Sequence, residues 1–131
     1  MLNVYSDSSQ SVLKYLKNTE SSIHNIIIMT GDFNIRDCRW DPYYLFHSIH
    51  SDSLFDIADS FSLDISNPIE NVPTRFSDND HNTNSVLDLV FLFPSFPEFN
   101  QHCIHPEWRL SSDHAPITID ISIREERISH S

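Results

Sequence analysis

Basic side chains are scarce in this chain. Eight Lys and Arg stand against nineteen Asp and Glu, a formal charge of −11 over 131 residues. A surface that acidic repels phosphate backbones, which argues against a passive nucleic-acid-binding module. It leaves room for an enzyme whose carboxylates hold a divalent cation, because the bound ion reverses the sign of the local field. Cysteine is nearly absent as well. Cys38 and Cys103 are the only two and form no CxxC pair, so neither a disulfide framework nor a thiolate zinc site is expected, and both read as reduced thiols. His24, His47, His50 and His102 show no metal-ligand spacing and are assigned no role. Long apolar runs are missing too. The stretch from Ile26 to Met29 is far below membrane-spanning length and the N-terminus carries no basic-then-apolar leader, so the expectation is an intracellular protein with no membrane partner.

What is present is a core. Nine Phe, four Tyr and two Trp within a hydrophobic fraction of 39% are meant to be packed, and the length suits one domain. Ser8 or Ser9 can cap a helix running through Lys17, with Val12, Leu13 and Leu16 on one face. Asn25 to Met29 reads as a strand buried on both faces, ending at Thr30-Gly31-Asp32. Ile35 to His50 breaks into polar, aromatic and Pro-containing sequence, a long surface loop, after which Ser51 would cap a second helix facing the core through Leu54, Ile57, Ala58 and Phe61. Leu63 to Asn84 reads as loop with a short strand near Thr74 to Ser77. Val86 to Phe93 is the next strand, ended by Pro94 and Pro97. A further segment around Ile104 to Leu110 leads to a strand in which Ile117, Ile119, Ile121 and Ile123 alternate with polar residues. Only the tail from Glu125 is expected to fray. With no repeat and no linker, the order fits one mixed α/β layered structure.

Three polar clusters sit at the ends of, or inside, segments that otherwise read as core. In Gly31-Asp32-Phe33-Asn34 the glycine lets the backbone turn while Asp32 and Asn34 project on one side; a turn built on Asx chemistry is the alternative. Asp88 interrupts Val86-Leu87-Asp88-Leu89-Val90-Phe91, where a buried carboxylate is costly without a partner, and alternation would put it on the face of Val86 and Val90. An outward Asp on an edge strand is the competing reading. Ser112-Asp113-His114 opens the last strand and can supply a metal-binding carboxylate and an imidazole, although an Asp-His pair also occurs in ordinary loops.

Taken in order, Gly31-Asp32-Phe33-Asn34, Ser85-Val86-Leu87-Asp88-Leu89-Val90-Phe91 and Ser112-Asp113-His114 resemble the last three signature blocks of the endonuclease/exonuclease/phosphatase superfamily. Asn3-Val4-Tyr5, Trp40-Asp41-Pro42, Thr74-Arg75-Phe76-Ser77 and Arg109-Leu110-Ser111-Ser112-Asp113-His114-Ala115-Pro116 resemble the endonucleases of non-LTR retrotransposons, especially fungal elements. The resemblance implies the C-terminal half of a two-sheet, DNase I-like α/β sandwich with its site at one rim. By that likeness Asp32 orients or deprotonates the attacking water and Asn34 holds that water or a phosphate oxygen. Asp113 contacts a divalent metal, Mg²⁺ or Mn²⁺, while His114 contacts the scissile phosphate or transfers a proton and Asp88 orients its ring. Tyr5 lies near the phosphate. The implied substrate is DNA, nicked to prime the reverse transcriptase of the same polyprotein, with the protein acting in the nucleus.

The family also carries an Asn and a metal-binding Glu upstream of the tyrosine block, and Met1 stands only four residues before Tyr5. The chain is therefore expected to be a partial domain over residues 1–131 lacking the N-terminal half, with Glu20 no substitute for the absent Glu. A catalytically inactive remnant is one alternative function, and a phosphatase or phosphodiesterase on a small molecule or lipid is another. Arg36, Arg39 and Arg75 are candidates for backbone contact, with solvated surface charge as the alternative. Arg36 and Arg75 join Asn34 as the expected substrate-binding residues. Trp40, Tyr43 and Tyr44 can stack on a base or pack under the long loop.

Overall fold

The apolar run before Gly31 packs on both of its faces. In a computed structural model that describes residues 2–6, 10–19, 26–77, 84–93 and 101–120, strand β2 spans Ile28–Asp32. Met29 belongs to one buried cluster and its neighbour Ile28 to another, as successive side chains on a strand must. The strand starts later than expected and continues through Gly31 and Asp32; Asn25 lies outside the described residues. Gly31 is thus not a turn residue. Its φ is +146°, and a Cβ there would sit 1.9 Å from the carbonyl oxygen of Val4, so the missing side chain is what lets β2 lie against β1, Leu2–Tyr5.

β1 and β2 are parallel and joined through helix α1, Ser11–Thr19. Leu13 and Leu16 are buried as the helical spacing requires; the side chain of Val12 and the caps Ser8 and Ser9 lie outside what is described. Helix α2 spans Ile49–Ser60 and starts two residues before the expected cap. Ser48 is the cap: its backbone is extended (φ −89°, ψ 143°) and its Oγ accepts the N–H of His50 at 3.2 Å, whereas Ser51 is fully buried inside the helix. Leu54, Ile57 and Ala58 are buried, and Phe61, at the helix end, packs against them only in part.

Two short strands fall in the stretch read as loop, β3, Asp64–Ile65, and β4, Asn67–Pro68. Two-residue strands leave no periodicity to read. β5 is Asp88–Leu92, and β6 is Gln101–Ile104, earlier than the Ile104–Leu110 segment suggested, because Pro106 opens a 3₁₀ turn over Pro106–Trp108. β7 is confined to Ile117–Thr118, shorter than the alternation predicts; Ile119 and Asp120 follow without strand pairing, and Ile121, Ile123, Pro94, Pro97 and the tail lie outside the described residues. Near Thr74 only Arg75 is in β geometry, bridging Ser85 on one side and His114 on the other.

The strands form a four-stranded sheet ordered β1-β2-β5-β3 and a three-stranded sheet ordered β4-β6-β7. Val4, Met29, Leu89 and Phe91 face α1 and α2, in a cluster anchored by Phe33 edge-on to Phe91 at 5.6 Å. Ile28, Val90 and Leu92 face the other way, against Ile117 and Ile119 of the second sheet's side. The layers are therefore helices, sheet, sheet, a mixed α/β sandwich. The chain crosses from one sheet to the other at Ser66, whose N–H donates to Val90 at 2.7 Å and whose hydroxyl meets Nδ1 of the buried His102 at 3.1 Å.

Replacing Gly31 by Ala should lower unfolding stability by on the order of 3 kcal/mol or more, since the added carbon collides with fixed backbone; a denaturation midpoint close to wild type would contradict that close approach. A second outcome concerns pH. Burial depresses His102 from its ordinary 6.5 to about 4. The unfolded chain binds the extra proton first, so the stability that neutral His102 contributes is present above pH 6.5 and is lost as pH falls toward 4. Urea titrations at pH 7 and pH 4 should show His102→Gln losing less stability than wild type, by up to roughly 3 kcal/mol. Equal losses would mean that the imidazole is not held neutral.

Candidate active site

Strand register sets the first half of the site. Tyr5 pairs with Asp32 across β1 and β2, and Asp32 with Asp88 across β2 and β5, so these three residues stand in a row along one rim of the first sheet. Asp32 and Asp88 share the parity of Ile28, Val90 and Leu92, the face turned toward the second sheet. Val86, expected on that face too, instead joins the helix-side cluster because it precedes the strand. Like carboxylates directly opposed are unfavourable, and a counter-group is needed between them.

His114 is that group. Its Nδ1 lies 2.8 Å from Asp88 Oδ2, and its Nε2 lies 3.7 Å from Asp32 Oδ2 and 4.0 Å from Asp113 Oδ1. The short bond to a carboxylate makes Nδ1 the donor and leaves Nε2 aimed at the space between Asp32 and Asp113. Burial pushes the Asp88 carboxyl above its ordinary value and the charge of Asp32 adds to that, while hydrogen bonds from His114 and Thr74 work against it. Asp88 is therefore not an outward carboxylate on an edge strand; its strand lies between β2 and β3.

The turn after β2 is held by its own polar atoms. Asn34 adopts φ 51°, its N–H donates to Asp32 Oδ1 at 2.9 Å, and its side chain is exposed beside the rim. Buried Gln10 braces the turn by donating to the Asn34 carbonyl at 3.0 Å, and accepts from Ser6 at 2.6 Å. Tyr5 projects from the end of β1, 77% exposed.

Thr74 is the residue that sequence reasoning passed over. It is fully buried, and its Oγ1 accepts the N–H groups of Leu87 at 2.9 Å and Asp88 at 3.1 Å. Its backbone carbonyl takes the Ala115 N–H at 2.8 Å, and Phe76 N–H donates to Asp113 at 2.7 Å. One three-residue segment thus fastens Asp88 and His114 to each other from behind. The only signal was its place within Thr74-Arg75-Phe76-Ser77, where the charged residue draws the eye.

Arg75 stands next to the site, its Nε 3.7 Å from Asp113 Oδ2 and its side chain partly exposed. Arg36 is differently placed. Its Nε holds Asp41 at 2.9 Å, one terminal nitrogen reaches the carbonyls of Tyr43 and Asn84, and the guanidinium lies over the Tyr44 ring, so it fastens its loop to itself and to the segment before β5. Trp40 packs against Phe55 and donates to the Ile35 carbonyl, a packing role. A cleft of about 340 Å³ opens elsewhere, among Cys38, Trp40, Ser66 and His102, and takes in none of the rim groups.

The rim groups could hold a hard divalent cation: Mg²⁺ takes one or two carboxylates together with waters, and ligand atoms of Asp32, Asp88 and His114 lie within 4.8 Å of one another, with the exposed Asp113 beside His114. The imidazole is unsuited to that ion and is better matched to a proton or a phosphate oxygen.

A sequence-family profile described as endonuclease-reverse transcriptase matches residues 1–118. No curated protein sequence matches significantly. Among solved structures, the chain is similar to the endonuclease domain of TRAS1, a telomere-specific non-LTR retrotransposon, with a TM-score of 0.68 at 21% identity. The match covers 94% of this chain and 56% of that one, so the chain spans little more than half of the matched domain. The likeness establishes the fold, a two-sheet α/β sandwich of the DNase I-like kind. No helix among the described residues is long and apolar enough to cross a membrane.

Thr74→Val keeps the shape but strands two buried N–H donors, and should cost on the order of 2 kcal/mol in urea unfolding, while Thr74→Ser stays near wild type. If Val and Ser behave alike, the hydroxyl is not what fastens β5.

Proposed function

Because the chain belongs to the endonuclease-reverse transcriptase family, we propose that it forms the hydrolytic rim of a divalent-metal-dependent DNA endonuclease of a retroelement. The observation that carries this reading is His114 between Asp88 and Asp32, with Nδ1 bound and Nε2 directed at the gap. Phosphodiester hydrolysis needs an activated water in line, a partner for the phosphate charge and a proton for the departing oxygen. Asp32 accepts the proton of the attacking water as its oxygen bonds to phosphorus. Asn34 steadies that water or a phosphate oxygen. The P–O bond to the leaving oxygen breaks, and Nε2 of His114 supplies the proton that oxygen takes or hydrogen-bonds the scissile phosphate. Asp88 stabilises the charged ring and keeps it turned.

Mg²⁺ or Mn²⁺, held by Asp113 with support from Asp32, would supply charge neutralisation at the phosphate. Arg75, beside Asp113, and the exposed Tyr5 would meet the backbone; Arg36 orders its loop. A nick leaving a free 3′ hydroxyl would prime the reverse transcriptase named in the family description, and on chromosomal DNA that reaction would take place in the nucleus.

Supercoiled plasmid incubated with Mg²⁺ and a purified protein comprising this chain should relax to nicked circles, and chelation should stop it. Asp88→Ala should slow nicking by on the order of 10²-fold while the fold persists. A rate unchanged in Asp88→Ala, or nicking indifferent to chelator, would overturn the assignment.

A further inference from the structure

The long loop between β2 and α2 carries a second set of ligating atoms, away from the rim. Cys38 and His47 are nine residues apart, too far for any spacing motif, yet the Cys38 N–H donates to the Phe46 carbonyl at 2.9 Å and draws the two ends together. Cys38 Sγ then lies 3.6 Å from His47 Nδ1, and the same Nδ1 lies 3.4 Å from Asp37 Oδ1. The three ligand atoms fall within 4.8 Å of one another.

We propose that Asp37, Cys38 and His47 form a binding site for a thiophilic divalent cation of the Zn²⁺ type, independent of the rim. The distances carry the argument. With a Zn–S bond of about 2.3 Å and Zn–N and Zn–O bonds of about 2.0–2.1 Å, tetrahedral geometry sets sulfur about 3.6 Å from nitrogen and nitrogen about 3.4 Å from oxygen. Two of those separations, Cys38 Sγ to His47 Nδ1 and Nδ1 to Asp37 Oδ1, are already present; because Sγ also lies 3.8 Å from Nε2, a turn of the exposed imidazole is what would aim Nδ1 at the ion. The ligand set, one thiolate, one imidazole and one carboxylate, selects a soft or borderline ion over Mg²⁺. Cys38 and His47 are exposed, which leaves the fourth position open to water or an outside ligand.

Asp37 is the constrained member. Its Oδ1 already accepts the backbone N–H and Nε of Arg39, and its Oδ2 accepts Arg39 and the Ser48 N–H. An ion at Oδ1 displaces the Nε bond only. Arg39 keeps its hold on Oδ2, and Asp52 lies 3.5 Å from the same terminal nitrogen. Zn²⁺ with a thiolate and a carboxylate sums to zero charge, so the guanidinium faces a neutral centre rather than a cation. Binding would tie Asp37 to His47 and so stiffen the loop that carries Trp40 and Asp41, with release of the thiol proton.

The test uses the purified, reduced, metal-free protein titrated with Co²⁺ as an optical probe. A thiolate-to-cobalt charge-transfer band with the visible bands of tetrahedral Co²⁺ should appear at one equivalent and vanish on adding Zn²⁺. Cys38→Ser should abolish the band, and His47→Ala should weaken binding by about tenfold or more. Both residues are exposed, so circular dichroism should show intact folding. Cys103→Ser and His114→Ala should leave the band in place. Absence of the band in the wild type, or its survival in Cys38→Ser, would overturn the proposal and leave a plain S–H to imidazole hydrogen bond.

Discussion

Two carboxylates meet head-on where β2 leaves the sheet and β5 enters it, and most of the surrounding architecture answers to that pairing. The register that opposes Asp32 to Asp88 also sends Ile28 and Val90 between the sheets and Met29 and Phe91 toward the helices. A slip of one residue would invert every one of those side chains at once, so hydrophobic burial locks the acidic pair in place even though the pair itself is repulsive. What relieves the repulsion comes from the second layer. His114 sits just before β7, and Arg75 bridges the His114 backbone to Ser85. The site is thus a joint between sheets, and its geometry depends on their spacing rather than on any one loop.

The long loop is built on a similar trade. Asp37 and Asp41 are fully buried yet lie outside every strand and helix. Burial works against the Asp37 charge, but the Arg39 guanidinium and the N–H groups of Arg39 and Ser48 more than offset it, holding the carboxyl well below the usual range. Asp41 takes Arg36 and the Tyr43 N–H. Sixteen residues without regular structure would otherwise be slack; two buried carboxylates give the backbone donors their partners and let Trp40 reach Phe55.

Legibility in the sequence follows from range. The α1 face and the core face of α2 were readable because each leaves a local period, and the doubly buried β2 and β5 because each is an apolar run of strand length. Asp88 announced itself by breaking an apolar run, and His114 by its place before an alternating segment. The short strands β3 and β4 were not readable, since two residues carry no period, and neither was the in-strand role of Gly31, which depends on a carbonyl 27 residues away in Val4. Ser48 and Ser51 are equally good caps by composition; only the extended backbone at Ser48, pinned by Asp37, separates them. Thr74 and Gln10 act through backbone groups distant in sequence, and the Cys38–His47 contact closes a nine-residue gap. Such partners become visible only when the chain is folded.

Charge is the last constraint, and it bears on any phosphate ligand. The described arginines do not form a basic patch: Arg36 pairs with Asp41, Arg39 with Asp37, Arg75 approaches Asp113, and Arg109 lies over the Phe76 ring at 4.5 Å. Of these, Arg75 stands beside the rim and is held by the weakest geometry, 3.7 Å to a half-exposed carboxylate. A cation at Asp113 would compete with Arg75 for that carboxylate and leave the guanidinium disposed toward a phosphate. The same ion would cancel part of the negative field set up by Asp32, Asp88 and Asp113. Metal and arginine would then cooperate although neither touches the other: occupancy of the carboxylates converts a surface that repels a polyanion into one with two positive groups at its edge. On an otherwise strongly acidic chain, that local reversal is the step on which approach of a nucleic acid would turn.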